Sequence, residues 1–187
     1  MVIEKQELLS YLGYRGQAIS QELDVKINYA IEICKRLARP MNVVKRFKVN
    51  RETKQVEGTT LTLPGEDIWK HIKGCSEIYL LCGTIGFSIE REINKFMVSD
   101  RTLAIILDAA ATCAIESSLD DLEKELEGKL TSRYSCGYGD LPIEAQKQIC
   151  QVLDTHRKIG VFVNESFMLS PQKSVTAIIG IEDEVNR

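Results

Sequence analysis

Two hydrophobic periods run through this chain, and each occupies too much of it to be incidental. Leu23, Ile27, Ala30, Ile31, Cys34 and Leu37 recur at three- and four-residue spacing, which lines them along one face of a helix. Leu103, Ile106, Leu107, Ala110, Ala114 and Leu122 do the same farther on. Val43–Val49 instead reads as a strand, and Ser76–Leu81 and Ser174–Ile181 are strand-like runs dominated by apolar residues. A 3.6-residue period and a two-residue period cannot share one backbone conformation, so the chain must build both kinds of layer. The elements follow one another in no regular βα alternation. The predicted class is therefore α+β, a mostly antiparallel twisted sheet flanked by helices. At 187 residues, one domain over 1–187 is the expectation.

The punctuation between these stripes fits that class. Residues 4–12 predict a short helix with Leu8, Leu9 and Leu12 on one side, stopped at Gly13 and followed by a turn through Gly16. Ser20 is a candidate N-cap for the long helix that Arg39-Pro40 ends. Val56–Leu63 is the candidate hairpin partner of Val43–Val49, across a polar turn at 50–54. After Pro64-Gly65, residues 66–72 predict a short helix with the single Trp at 69. Ser76–Leu81 runs into Cys82-Gly83-Thr84-Ile85-Gly86 and then a helix from Ser88 to about Met97. Strand, GxxG and helix start is the outline of an anion-binding loop. The dinucleotide fingerprint needs GxGxxG and a later acid, so a tight strand-to-helix turn is the better reading. Asp100 caps the next helix, and Asp120–Lys129 is charge-rich and predicted exposed. Pro142 predicts the first turn of a helix that carries Ile143, Ile149, Val152 and Leu153 and ends near Gly160. A further apolar segment over 161–171, the last strand and a polar tail from Glu182 complete the chain.

Charge and composition narrow the function classes. The net charge is −3, and no Lys/Arg run goes beyond short pairs. That argues against a nucleic-acid partner and against a polybasic membrane anchor. No apolar run approaches the ~18 residues of a membrane span. The first residues carry acids where a signal peptide is basic and then apolar, so a cytoplasmic protein is expected. Six cysteines (34, 75, 82, 113, 136 and 150) form no CxxC pair, and the only histidines are His71 and His156. A zinc site needs clustered ligands, so the cysteines are expected as small core residues. There is no G-x-S-x-G, H-E-x-x-H or P-loop. A Cys/His nucleophile is possible only through Cys136 or Cys150 with His156. Asp154-Thr-His156-Arg-Lys-Ile-Gly160 resembles the D-x-H-x-x-G of cobalamin-binding modules, but its glycine falls one residue late. His156 reads better as a cation near a helix C-terminus.

The stretch Arg133 to Pro142 is neither apolar nor periodic. It sets one cation, two tyrosines and two glycines within seven positions, Arg133 to Gly139. Arginine carries a fixed forked donor set suited to a carboxylate, tyrosine a flat face with a polar tip, and glycine close backbone approach. Together they suit a ligand with a carboxylate, a ring and hydroxyls. Upstream, Ala109–Ala114 is a run of small residues, and Glu116 just beyond it is a candidate partner for a cation.

Arg133-Tyr134-Ser135-Cys136-Gly137-Tyr138 resembles the R-P-A-P-G-Y motif of the activation (reactivation) domain of cobalamin-dependent methionine synthase. The stretch from Asn164-Glu165-Ser166-Phe167 through Pro171 to Ser174-Val175 is similar to that domain's T-E-S-F-A-M-W-P-G-A-S-V. Asp108 to Glu116 resembles its D-R-L-A-E-A-F-A-E helix. The three motifs occur in the same order over residues 108–175. Tyr134 and Cys136 stand where the motif has prolines, and Asn164 where it has threonine.

The resemblance implies a domain that binds S-adenosylmethionine and docks over a cobalamin module. There, an electron from a flavodoxin- or ferredoxin-type donor and a methyl group from S-adenosylmethionine restore methylcobalamin. Arg133 would then pair with the methionyl carboxylate. Backbone groups at Ser135 and Gly137 would hydrogen-bond the ligand, Tyr138 would line its pocket, and Glu116 would take its amino end. A chain of this length does not hold the other modules of the full enzyme. The resemblance therefore implies a free-standing subunit, non-catalytic alone, that meets a cobalamin-binding methionine synthase partner in trans. The rival expectations are a stand-alone S-adenosylmethionine-dependent small-molecule methyltransferase, a reactivation subunit for another corrinoid methyltransferase, and a scaffold that has lost the ligand.

Overall fold

The computed structural model describes residues 1–183, so positions 184–187 of the polar tail lie outside the described residues. The chain forms two compact units. The first comprises Met1–Met41, Thr84–Glu125 and Pro171–Lys173, and the second Asn42–Gly83, Leu126–Ser170 and the described residues from Ser174 onward.

The first unit is helical. α1 (Lys5–Tyr11), α2 (Gln21–Leu37) and α4 (Phe87–Ser99) all pack on α5 (Arg101–Glu123). Both long helices start where the sequence predicts. The Ser20 hydroxyl accepts the Leu23 N–H, and the Asp100 carboxylate accepts the Leu103 N–H at 3.0 Å. The predicted stripes face inward, with Ile27, Ala30, Ile31 and Cys34 of α2 and Leu103, Ile106, Leu107, Ala110, Ala114 and Leu122 of α5 buried. An 18-residue window of α5 reaches a mean hydropathy of 1.5, enough by length and composition to cross a membrane. The sequence expectation of no such stretch missed it, because two acids interrupt the run. Three other helices cover α5, and 61 % of that window is buried, as in a core helix. The GxxG segment is a strand-to-helix turn. The Thr84 hydroxyl accepts the Gly86 N–H at 3.1 Å, and Gly86 takes φ +80° immediately before α4.

The second unit holds a four-stranded antiparallel sheet in the order β2-β1-β3-β6. The strands are β1 (Met41–Asn50), β2 (Gln55–Val56), β3 (Cys75–Thr84) and β6 (Ser174–Glu182). Ile78, Leu80 and Cys82 of β3 and Ile178 of β6 form a core with α3 (Asp67–His71) and α6 (Ala145–Leu153), through Ile68, Trp69, Ile72, Ile149 and Leu153. β3 also buries Tyr79 and Leu81, so both its faces are covered, and its sequence shows no polar alternation for that reason. Arg51 fixes α3 at its end. Its guanidinium bonds the carbonyls of Trp69 and Ile72 and lies 5.5 Å from the indole centre.

Three element predictions are corrected. The hairpin partner predicted over 56–63 is only two residues long, pairing Val49 with Val56 and Asn50 with Gln55. Beyond Val56 the chain turns at Gly58 (φ +73°), the Val56 N–H bonds the Leu61 carbonyl, and Leu61 and Leu63 drop into the core. Burial of two leucines on a tight turn outweighs continued pairing there. The helix predicted from Pro142 to Gly160 begins only at Ala145 and is broken at Asp154, whose φ of +56° ends α6 and starts α7 (Thr155–Ile159). The segment over 161–171 forms a small hairpin, β4 (Phe162–Val163) with β5 (Leu169–Ser170).

Candidate functional site

The loop carrying Arg133, Ser135, Gly137 and Tyr138 belongs to the second unit and is pinned at four places. First, it runs antiparallel to β6. Leu130 bridges Ile181, and Tyr134 exchanges both backbone hydrogen bonds with Ile178 at 2.9 Å. Arg133 and Ser135 thus flank a sheet-paired residue. Second, Cys136 and Leu141 are buried in the core. Third, the chain reverses between them: the Gly137 N–H bonds the Leu141 carbonyl at 2.8 Å, and the Leu141 N–H bonds the Tyr138 carbonyl at 3.1 Å. Gly137 and Gly139 take φ of +89° and +52° to allow this. Fourth, the Asp140 carboxylate accepts the backbone N–H groups of Glu66 (2.7 Å) and Asp67 (3.0 Å), where α3 begins.

Tyr134 organises the reversal. Its hydroxyl donates to the Tyr138 carbonyl at 3.1 Å, which therefore receives two hydrogen bonds. Its ring lies 5.1 Å from that of His71, tilted 46°, and His71 Nε2 is 2.8 Å from the Ser132 carbonyl oxygen. Burial, then the Asp67 and Asp140 carboxylates, raise the Tyr134 phenol above its ordinary value, so it stays a donor at neutral pH. Tyr138, held by its backbone, leaves its ring 68 % exposed, available to a ligand. Tyr134 thus gives the reversal a hydrogen-bonded rigidity.

Two results test this account. A Cβ on Gly139 would stand 2.5 Å from the Tyr134 hydroxyl and 2.8 Å from an Asp67 carboxylate oxygen, at positive φ. Gly139→Ala is expected to cost about 2 kcal/mol, near the middle of the range for strained backbone. Gly13→Ala, also at positive φ but with nothing within 4 Å of a Cβ, should cost only about 1 kcal/mol. Urea midpoints measure both, and equal losses would mean the loop yields freely around Tyr134. The second concerns Asp140. The Glu66 and Asp67 amides hold its carboxyl below the ordinary value. A depressed folded pKa contributes stability that is complete above the unfolded value of about 3.9 and is lost as pH falls through the folded one. Asp140→Asn should therefore destabilise at pH 7, and the difference from wild type should close below about pH 4. A difference unchanged down to pH 2.5 would rule out the capping role.

Cys136 is buried in the core. Burial pushes its thiol up to about 12. His156 sits on α7 with its ring edge-on to Phe162, 6.1 Å away. Glu116 lies half-buried on α5 in the first unit. Asn164 has a structural role. Its carboxamide oxygen accepts the N–H groups of both Ser166 and Met168 at 2.9 Å, closing the β4–β5 turn. Among the described residues no group of three or more His, Cys, Asp or Glu side chains is arranged to hold a metal ion. The sequence reading missed Asp140 and His71 as loop supports. Their partners at 66–67 and 132 lie about sixty or more positions away, and no spacing pattern links them.

No known protein-family signature matches the chain, and no curated protein does. Among solved structures it is similar to the crystal structure of the MetH reactivation domain bound to AdoHcy, with a TM-score of 0.63. The likeness covers 96 % of this chain and 74 % of that one at 16 % identity, so what the two share is the fold.

Proposed function

We propose that this chain binds S-adenosylmethionine at the 133–138 loop and acts as a reactivation-type subunit for a cobalamin-dependent methyltransferase, methionine synthase foremost. The observation that carries this reading is the fold likeness to a domain crystallised with AdoHcy. AdoHcy is what S-adenosylmethionine becomes after giving up its methyl group, so a pocket shaped for one accepts most of the other. The ordered loop supports it from this chain's own residues. Arg133 takes the methionyl carboxylate through its forked donors. Backbone groups at Ser135 and Gly137 bond the ligand's polar edge, and the exposed face of Tyr138 covers it. S-adenosylmethionine supplies the methyl group, and cobalamin enters only with the partner protein. The loop's part is to orient the sulfonium methyl, because pre-paid orientation removes much of the barrier to transfer. Reduction of the oxidised corrinoid falls to a flavodoxin- or ferredoxin-type donor.

Calorimetric titration of the full chain with S-adenosylmethionine tests the reading. Saturable heat is expected with a dissociation constant of roughly 1 μM to 1 mM, the range usual for small-molecule sites of enzymes. No saturable heat at millimolar ligand overturns it. Methyl transfer to a small acceptor with no corrinoid protein present would replace it with a stand-alone methyltransferase.

A further inference from the structure

We propose that the open edge of β1 is a docking site for an extended, acidic peptide segment of a partner protein, which adds to the sheet beside β1 in the column that β2 begins. The inference does not rest on the ligand-loop reading. β1 runs from Met41 to Asn50, yet β2 holds only Gln55 and Val56 and pairs with Val49 and Asn50 alone. On its other side β1 is bonded to β3. Backbone N–H and C=O groups of successive residues point to opposite sides of a strand. The Lys48 carbonyl accepts the Glu57 N–H at 2.9 Å, so Lys48 faces the β2 side. Asn42, Val44 and Arg46 share its direction, while Val43, Lys45 and Phe47 face β3. Past the end of β2, then, Asn42, Val44 and Arg46 each present an N–H and a C=O along an unpaired edge. Among the described residues no backbone group outside the sheet bonds them. Asn42 and Arg46 are exposed and Val44 is half-buried, so the edge is open to solvent. Such a row of donors and acceptors is a template for an added strand.

Charge selects the occupant. Lys45, Arg46 and Lys48 are all exposed. Side chains alternate across a strand, so Arg46 and Lys48 lie on one face and Lys45 on the other, the face whose Val43, Phe47 and Val49 pack on the core. Arg46 is paired with Glu77 of β3. Among the described residues neither Lys45 nor Lys48 has an ion-pair partner. An added strand therefore meets a cation on each of its faces, and opposite charges on neighbouring strands attract. The same rule disfavours a second copy of this chain. Pairing two β1 edges would bring Lys45, Arg46 and Lys48 from each copy onto one seam, and like charges across strands repel. Lysines on an open edge guard it against such self-pairing, and the same charges leave it open to an acidic strand. In this mode the backbone bonds supply affinity and the flanking side chains supply choice of partner.

The test titrates the isotope-labelled full chain with the end-capped peptide Glu-Val-Glu-Val-Glu-Val and reads amide hydrogen exchange residue by residue. The Asn42, Val44 and Arg46 amides are expected to slow about tenfold at about ten times the dissociation constant. The Val43, Lys45 and Phe47 amides, which face β3, should not change. The end-capped Lys-Val-Lys-Val-Lys-Val peptide should not bind. Nor should the glutamate peptide N-methylated at every residue, which keeps the charge but has no donors. Val44→Pro removes the central outward donor, a change that an edge strand tolerates, and should abolish binding. Lys45→Glu with Lys48→Glu should weaken it about tenfold. No slowing at the three outward amides with millimolar glutamate peptide overturns the proposal, and so does equal affinity for the lysine peptide. Equal binding of the N-methylated peptide overturns it as well, since charge alone would then hold the contact. Slowing of the same amides without peptide, growing with protein concentration, would replace it with pairing between two copies. The charge variant, changed only at exposed positions, decides if Val44→Pro folds poorly.

Discussion

Arg133→Ala is expected to weaken S-adenosylmethionine binding about 10- to 100-fold. A hydrogen bond between charged groups contributes roughly 1.5–3 kcal/mol, and about 1.4 kcal/mol is tenfold in affinity. Arg133→Lys should fall between wild type and alanine, because it keeps the charge but loses the two-pronged geometry. Calorimetric titration reads all three. Arg133 already has a partner within the fold, so melting temperatures belong beside the affinities. A lowered melting temperature with unchanged affinity would make Arg133 a structural cation and move the carboxylate contact elsewhere. Equal loss of affinity in the lysine and alanine variants would assign the contribution to fork geometry rather than charge.

The largest expected stability effect belongs to Leu80→Ala. Leu80 is fully buried in the middle of β3, among the Ile78, Ile149, Leu153 and Ile178 core. A buried leucine cut to alanine costs about 2–5 kcal/mol, transfer and cavity terms together. For a chain of this size that lowers the thermal midpoint by roughly 5–15 °C. Val98→Ala on α4 is the control, since Val98 is 92 % exposed and its loss should stay within about 0.5 kcal/mol. If calorimetric scans place the Leu80 variant no lower than the Val98 one, β3 is not the centre of the second core.

Much of the helical unit was legible before any coordinates. Ser20 and Asp100 are caps whose partners lie three residues away, and the α2 and α5 stripes are local periodicities. Strand β3 was legible too, because an apolar run buried on both faces needs no partner to declare itself. The failures share one cause. The short β2 depends on whether Leu61 and Leu63 gain more from the core than the backbone gains from pairing. The break at Asp154 depends on where α6 and α7 each find cover, since a non-glycine residue is held at positive φ there.

The loop divides in the same way. Its residue types suit a carboxylate, a ring and close backbone approach, because those chemistries reside in single side chains. Its order could not be read from them. The Tyr134 pairing with Ile178, the Asp140 caps on 66 and 67 and the stack on His71 all join residues distant in the chain. What the order of residues determined alone is everything set within a turn or two of backbone: helix starts, apolar faces and the chemical vocabulary of the loop. Which distant groups meet, and so whether that loop is held, was decided only when the sheet and its helices closed, because hydrogen bonds and desolvation act through space.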